Sequence, residues 1–175
     1  MQININALNK NKSSPSGFTI VELLIVIVII GILAAITVVA YNGIQSRARN
    51  QQMVSAASQI YKGISQYVID NGSYPSSGSV SCVGTGYPAD ASGLCWSGQS
   101  SLSANTLLAP YITNMPSPPM EKLSGSARGI LINTSSRVLE YTIVGASSCP
   151  SIGARQSAHT SYPDGLWCRA VLPDL

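Results

Sequence analysis

Five side chains in this sequence could carry chemistry by their type and position: the carboxylate Glu22 and the cysteines Cys82, Cys95, Cys149 and Cys168. Glu22 stands in a run, Phe18 to Tyr41, that is otherwise apolar apart from Gly31, Thr19 and Thr37. A carboxylate in such surroundings is costly unless a cation neutralises it, so its chemistry would be pairing. The cysteines are even in number, lack a Cys-x-x-Cys spacing and share the chain with a single histidine, His159. Structural disulfides therefore outrank a metal site. Four cysteines allow three pairings; Cys82 with Cys95 and Cys149 with Cys168 is expected, because each bridge then closes a Gly/Ser-rich loop.

Nothing else amounts to a catalytic set. His159 has no cysteine or serine motif around it and is expected in a solvent-exposed loop. Gly-x-Ser-x-Gly, His-Glu-x-x-His and phosphate-loop patterns are absent, so hydrolase and nucleotide chemistry have no footing and no cofactor is implied. Asp164 and Asp174 are too few and too scattered to form a calcium ligand set. Trp96 and Trp167 each adjoin a cysteine and are expected to pack on a disulfide.

The elements that position these groups follow from composition and periodicity. With 175 residues there is room for one compact domain plus a membrane helix. Charge is sparse, ten basic against seven acidic residues, with no basic run or aromatic–basic interleaving to suggest nucleic acid. The run from Phe18 to Tyr41 is long enough to cross a bilayer as a helix at ~1.5 Å per residue. It is too long for the apolar core of a secretory signal peptide, and no Ala-x-Ala site follows it. All four cysteines lie after this span. Disulfides need an oxidising compartment, which places the domain beyond the span outside the cytoplasm. Lys10 and Lys12 before it and Arg47 and Arg49 after it leave the positive-inside rule undecided. The two arginines are read as lipid-headgroup contacts.

The helix is expected to continue past the span. Met53, Ala57, Ile60, Ile64 and Tyr67 recur at steps of four and three, with Tyr61 and Val68 beside them. Asp70-Asn71-Gly72 is the stop signal, and the helix would cover about 54 residues, or ~80 Å. Gly31, Asn42-Gly43 and the β-branched Ile36-Thr37-Val38-Val39 weaken its middle. Residues 76 to 99 are Gly/Ser-rich and read as a tethered loop. Leu102 to Ile112 is a short helix candidate with Leu102, Thr106 and Ala109 on one face, stopped by Pro116, Pro118 and Pro119. Gly129 to Asn133 and Val138 to Val144 form a hairpin around Thr134-Ser135-Ser136-Arg137, and Leu166 to Leu172 is a third strand. Alternation turns Leu139, Tyr141 and Ile143 toward the helix. Gly145 to Gly165 reads as a loop.

The stretch Gly17-Phe18-Thr19-Ile20-Val21-Glu22-Leu23-Leu24, followed by its apolar helix, resembles the N-terminal signature of type IV pilins and type II secretion pseudopilins. Asn71-Gly72-Ser73-Tyr74-Pro75 is similar to the segment that follows the long helix in that family, and Leu108 to Pro116 is similar to a second family pattern. The resemblance implies that a prepilin peptidase cuts after Gly17 and that the new amine of Phe18 is methylated. It also implies that Glu22 pairs with the N-terminal amine of a neighbouring subunit, setting register.

The expected architecture is α+β: a long N-terminal helix whose second half packs on a small antiparallel sheet of three or four strands. Its divisions are a cleaved leader at 1–17, an assembly half of the helix at 18–41, an amphipathic half at 42–71 and a disulfide-containing head at 72–175. The chain would be no enzyme but a structural subunit. It would reside in the cytoplasmic membrane with its head outside, then in an extracellular filament. The partners implied are related pilins, the peptidase, the membrane and the pilus assembly machinery. A pseudopilin is the alternative, and a non-polymerising signal-anchored binding domain is the rival from another class.

Overall fold

A computed structural model of the chain describes residues 17–76, 78–87, 95, 103–123 and 126–175. They form an α+β fold of two compact units, the first ending at Tyr41 and the second spanning Asn42–Leu175. The helix α1 (Ile20–Asn71, 52 residues) contributes to both. It starts two residues later than the apolar run, because Thr19 caps it. In the first unit every described side chain from Phe18 to Val38 is exposed, so this apolar length has no protein core of its own.

In the second unit α1 is amphipathic. Met53, Ala56, Ala57, Ile60, Ile64 and Val68 are buried, while Gln51, Gln52, Ser55, Gln59, Lys62 and Gln66 face outward. The buried set forms one core with Ile130, Ile132, Leu139, Tyr141, Ile143 and Ala170. Burial of each large aliphatic group contributes about 1.5–3 kcal/mol, and that packing rather than propensity holds the helix. The helix ends where Gly72 takes φ 62°, its amide bonding the Val68 carbonyl at 2.8 Å. A left-handed residue at this place is tolerated best as glycine.

The main sheet has five antiparallel strands in the order β1 (Val80–Val83), β4 (Ile130–Asn133), β5 (Val138–Val144), β7 (Gly165–Val171), β6 (Gln156–Tyr162). A separate hairpin joins β2 (Glu121–Leu123) to β3 (Ser126–Arg128). In the centre, β5 pairs β7 from Val138↔Val171 to Val144↔Gly165. Leu139, Tyr141 and Ile143 join the helix-facing core, as alternation predicts. The Asn50 amide closes the end of β5, donating to the Val144 carbonyl at 2.8 Å and accepting from the Val144 amide at 3.1 Å. Tyr87 serves the opposite edge: its hydroxyl donates to the Val83 carbonyl at 2.7 Å and accepts from the Ile130 amide at 3.0 Å. Burial pushes the pKa of this hydroxyl well up.

Several expectations need correction. The main sheet has five strands rather than three or four, because two segments read as loops pair at its edges. Val80–Val83 lies within the Gly/Ser-rich stretch and pairs β4, with Cys82 opposite Leu131. Gln156–Tyr162 pairs β7, so His159 is a strand residue and not a loop residue. The short helix α2 covers only Ser103–Leu108 and buries Ala104 and Leu108; Thr106 and Ala109 are exposed. Leu102 and Trp96 lie outside the described residues, as does the leader before Gly17.

One glycine inside α1 is required by packing. A Cβ placed on Gly63 would stand 2.5 Å from Ile112 Cγ1 and 2.6 Å from its Cδ1. The Ile112 side chain, just past the turn that follows α2, therefore packs closely against the helix at Gly63. Gly63→Leu, which improves helix propensity, is nevertheless expected to destabilise the second unit by about 2–3 kcal/mol through overpacking. Ile112→Ala added to it should recover part of the loss in denaturant unfolding of the detergent-solubilised chain. A single Gly63→Leu variant as stable as the parent would refute the contact.

Candidate assembly site

The start of α1 is built by a reciprocal cap. The Glu22 carboxylate accepts from the Thr19 amide at 2.9 Å and from the Thr19 hydroxyl at 2.8 Å, both through Oε2. In return the Glu22 amide donates to Thr19 Oγ1 at 3.3 Å. This is a Thr-x-x-Glu capping box, which satisfies amides that the first helical turn would otherwise leave unpaired. Thr19 is the residue that the sequence reading missed; the spacing of threonine and glutamate was its visible signal. The contacts of the carboxylate fall on Oε2, and acid at a helix N-terminus is favoured by the helix dipole.

Around this cap the first unit presents a mainly apolar surface. Phe18 is 90% exposed, and Ile20, Val21, Leu23 and Leu24 are also open. Gly17, just before Phe18, is likewise exposed. Among the described residues α1 is the one helix long and apolar enough to cross a membrane. Such a surface is stable in lipid or against other apolar helices, not in water.

The remaining candidates lie in the second unit. Cys82 is joined to Cys95 and Cys149 to Cys168. Trp167 packs with Cys82, Cys95, Leu123 and Leu131, not with its chain neighbour Cys168, which belongs to the helix-facing core. Successive residues of β7 point to opposite faces, so Trp167 serves the distant bridge. Asp164 precedes β7 and Asp174 follows it, with that seven-residue strand, roughly 20 Å long, between them. Among the described residues no three His, Cys, Asp or Glu side chains group as metal ligands. Arg47 and Arg49 are exposed on α1.

Capped apolar helix and disulfide-bridged α+β unit together define a class of protein with a membrane-compatible stem. Residues 12–38 match the family described as the prokaryotic N-terminal methylation motif. The chain is 38% identical over 60 residues to a fimbrial protein of Neisseria meningitidis, covering 34% of this chain and 35% of that protein. It is 38% identical over 64 residues to the type II secretion system core protein G of Klebsiella michiganensis, covering 37% and 45%. It is 37% identical over 59 residues to the type IV major pilin protein PilE1 of Neisseria gonorrhoeae, covering 34% and 36%. The matched stretch thus spans between a third and a half of each of these relatives. No solved structure matches the chain. The N-terminal third is therefore similar to a fimbrial protein, a type IV major pilin and a type II secretion system core protein, in line with the resemblance read at Gly17 to Leu24.

Proposed function

We propose that the chain is a prepilin: cut between Gly17 and Phe18, methylated at the Phe18 amine, and polymerised through the apolar half of α1 into a filament. The observation that carries this reading is an uncovered apolar helix whose first turn holds one carboxylate, Glu22, beside the place where the cut would leave a cation. In a packed bundle of such helices that carboxylate and a neighbouring amine would neutralise each other and fix axial offset. Close packing of the exposed apolar side chains supplies the cohesion. The second unit would remain outside the bundle, its cystines suited to an oxidising compartment. No step of chemistry falls to this chain, which is the substrate of a peptidase and a methyltransferase. The similarity to a type II secretion core protein G supports a second reading, a subunit of a short secretion pseudopilus. Surface labelling of cysteine-substituted chains separates the two: long labelled fibres support the pilus, and their absence in secreting cells the pseudopilus.

The processing claim is tested by mass spectrometry of the N-terminal peptide, in cells with and without the prepilin peptidase. The expected peptide begins at methylated Phe18 only where the peptidase is present. A chain that still begins at Met1 in competent cells would overturn the proposal and leave a signal-anchored domain.

A further inference from the structure

The face of the sheet turned away from α1 carries a cleft of about 810 Å³ at the open end of β5 and β7. Its apolar lining combines the half-buried Val80 and Val171 with the buried Leu131, Val138 and Trp167. Arg137 and Arg155 stand on its rim, 18 positions apart in the chain, and the fold brings them together by backbone bonds to consecutive residues. The Leu172 amide donates to the Arg137 carbonyl at 2.9 Å and the Val171 amide to the Arg155 carbonyl at 2.8 Å.

The charges lining the cleft are unequal in availability. Arg169 is taken: its Nε donates to Glu140 Oε1 at 3.2 Å, and its guanidinium lies 5.4 Å from the Trp167 ring centroid. That leaves Arg137 and Arg155, both exposed and, among the described residues, without an ion pair, against the single exposed carboxylate of Asp174. Arg137 is also the one described residue other than glycine with positive φ, at 54°. The last position of this turn would suit glycine or asparagine better, and a long cationic residue held there is a form of strain found at binding sites.

We infer that this cleft binds a short peptide segment that presents a carboxylate beside an aliphatic side chain. Two guanidiniums supply forked donors for the carboxylate, and the partly open Val80 and Val171 of the lining meet the aliphatic group. Asp174 opposes a densely charged polyanion, and the Trp167 ring face is occupied by Arg169, so neither a nucleic acid nor a stacked sugar fits as well. The inference concerns the second unit alone and stands apart from the proposal of filament assembly.

The test is fluorescence anisotropy on the full chain in detergent micelles. The probe is a fluorescein-labelled hexapeptide ending in Leu-Glu-Val with a free carboxylate; the control ends in Leu-Gln-Val amide. Saturable binding is expected for the acidic probe alone, weakened roughly tenfold by either Arg137→Gly or Arg155→Gln. Arg137→Gly keeps the left-handed backbone, so its melting temperature should not fall, which separates lost binding from lost fold. Equal binding of both peptides, or binding indifferent to both substitutions, overturns the inference. So does stronger competition by trigalacturonate or a short single-stranded DNA, or self-association that depends on the two arginines without any peptide binding.

Discussion

Glu22→Leu is expected to leave cleavage after Gly17 intact and to abolish recovery of filaments by shearing and sedimentation. The substitution removes the anion from an apolar bundle and leaves each neighbouring amine buried without a partner. Breaking a buried pair in this way costs about 3–5 kcal/mol, which per subunit contact is roughly a hundredfold or more in the association constant. The structure supplies a competing explanation, because the same side chain completes the capping box with Thr19. Glu22→Gln separates the two. Glutamine can accept from the Thr19 amide as glutamate does, but it carries no charge. If pairing is what matters, Glu22→Gln fails to assemble as badly as Glu22→Leu. If it assembles like the parent, the acid is only a helix cap and the register argument falls. Thr19→Ala should have the smaller effect, about 1 kcal/mol from the lost cap, since it leaves the carboxylate in place.

The second large effect is expected from Cys149→Ala with Cys168→Ala. The bridge closes a loop with 19 positions of separation and anchors it to the middle of β7, where Cys168 is fully buried opposite Tyr141. Closing a loop of that size stabilises by about 3 kcal/mol, chiefly through the unfolded chain. For a unit of this size the melting temperature should drop on the order of 10 °C. Removing Cys82 and Cys95 together should cost less cooperatively. That bridge belongs to the smaller outer cluster with Leu123, Leu131 and Trp167, so its loss is felt there and not in the helix-facing core. Urea unfolding followed by tryptophan fluorescence reads both. A Cys149→Ala, Cys168→Ala chain with an unchanged midpoint would show that β6 and β7 hold the loop without the bridge.

These cases show what kinds of signal a one-dimensional reading can use. The helix stripe from Met53 to Val68 was legible because one partner face imposes a period of three to four on the residues that meet it. The β4–β5 hairpin was legible because its alternation and its turn are local. The strand β6 was not, although Tyr162-Pro163-Asp164-Gly165 is a turn signal between two segments that pair. Its sequence, Gln156 to Tyr162, is polar at nearly every position because it is a sheet edge, held by backbone hydrogen bonds to β7, and none of its described side chains is fully buried. The four residues of β1 escaped because they too form an edge, set in a Gly/Ser-rich stretch that hides so short a run.

By itself the sequence determined the apolar stem with its lone acid, the amphipathic continuation to Gly72 and the hairpin that receives it. Each of those depends on neighbours within a few positions, where side-chain period and backbone preference act directly. Only the tertiary structure decided that Trp167 covers the Cys82–Cys95 bridge, that two segments read as loops become edge strands, and that Arg137 and Arg155 share one rim. Those are contacts between distant parts of the chain, set by strand order and by the alternation of β7, and no local pattern records which distant partner a side chain will meet.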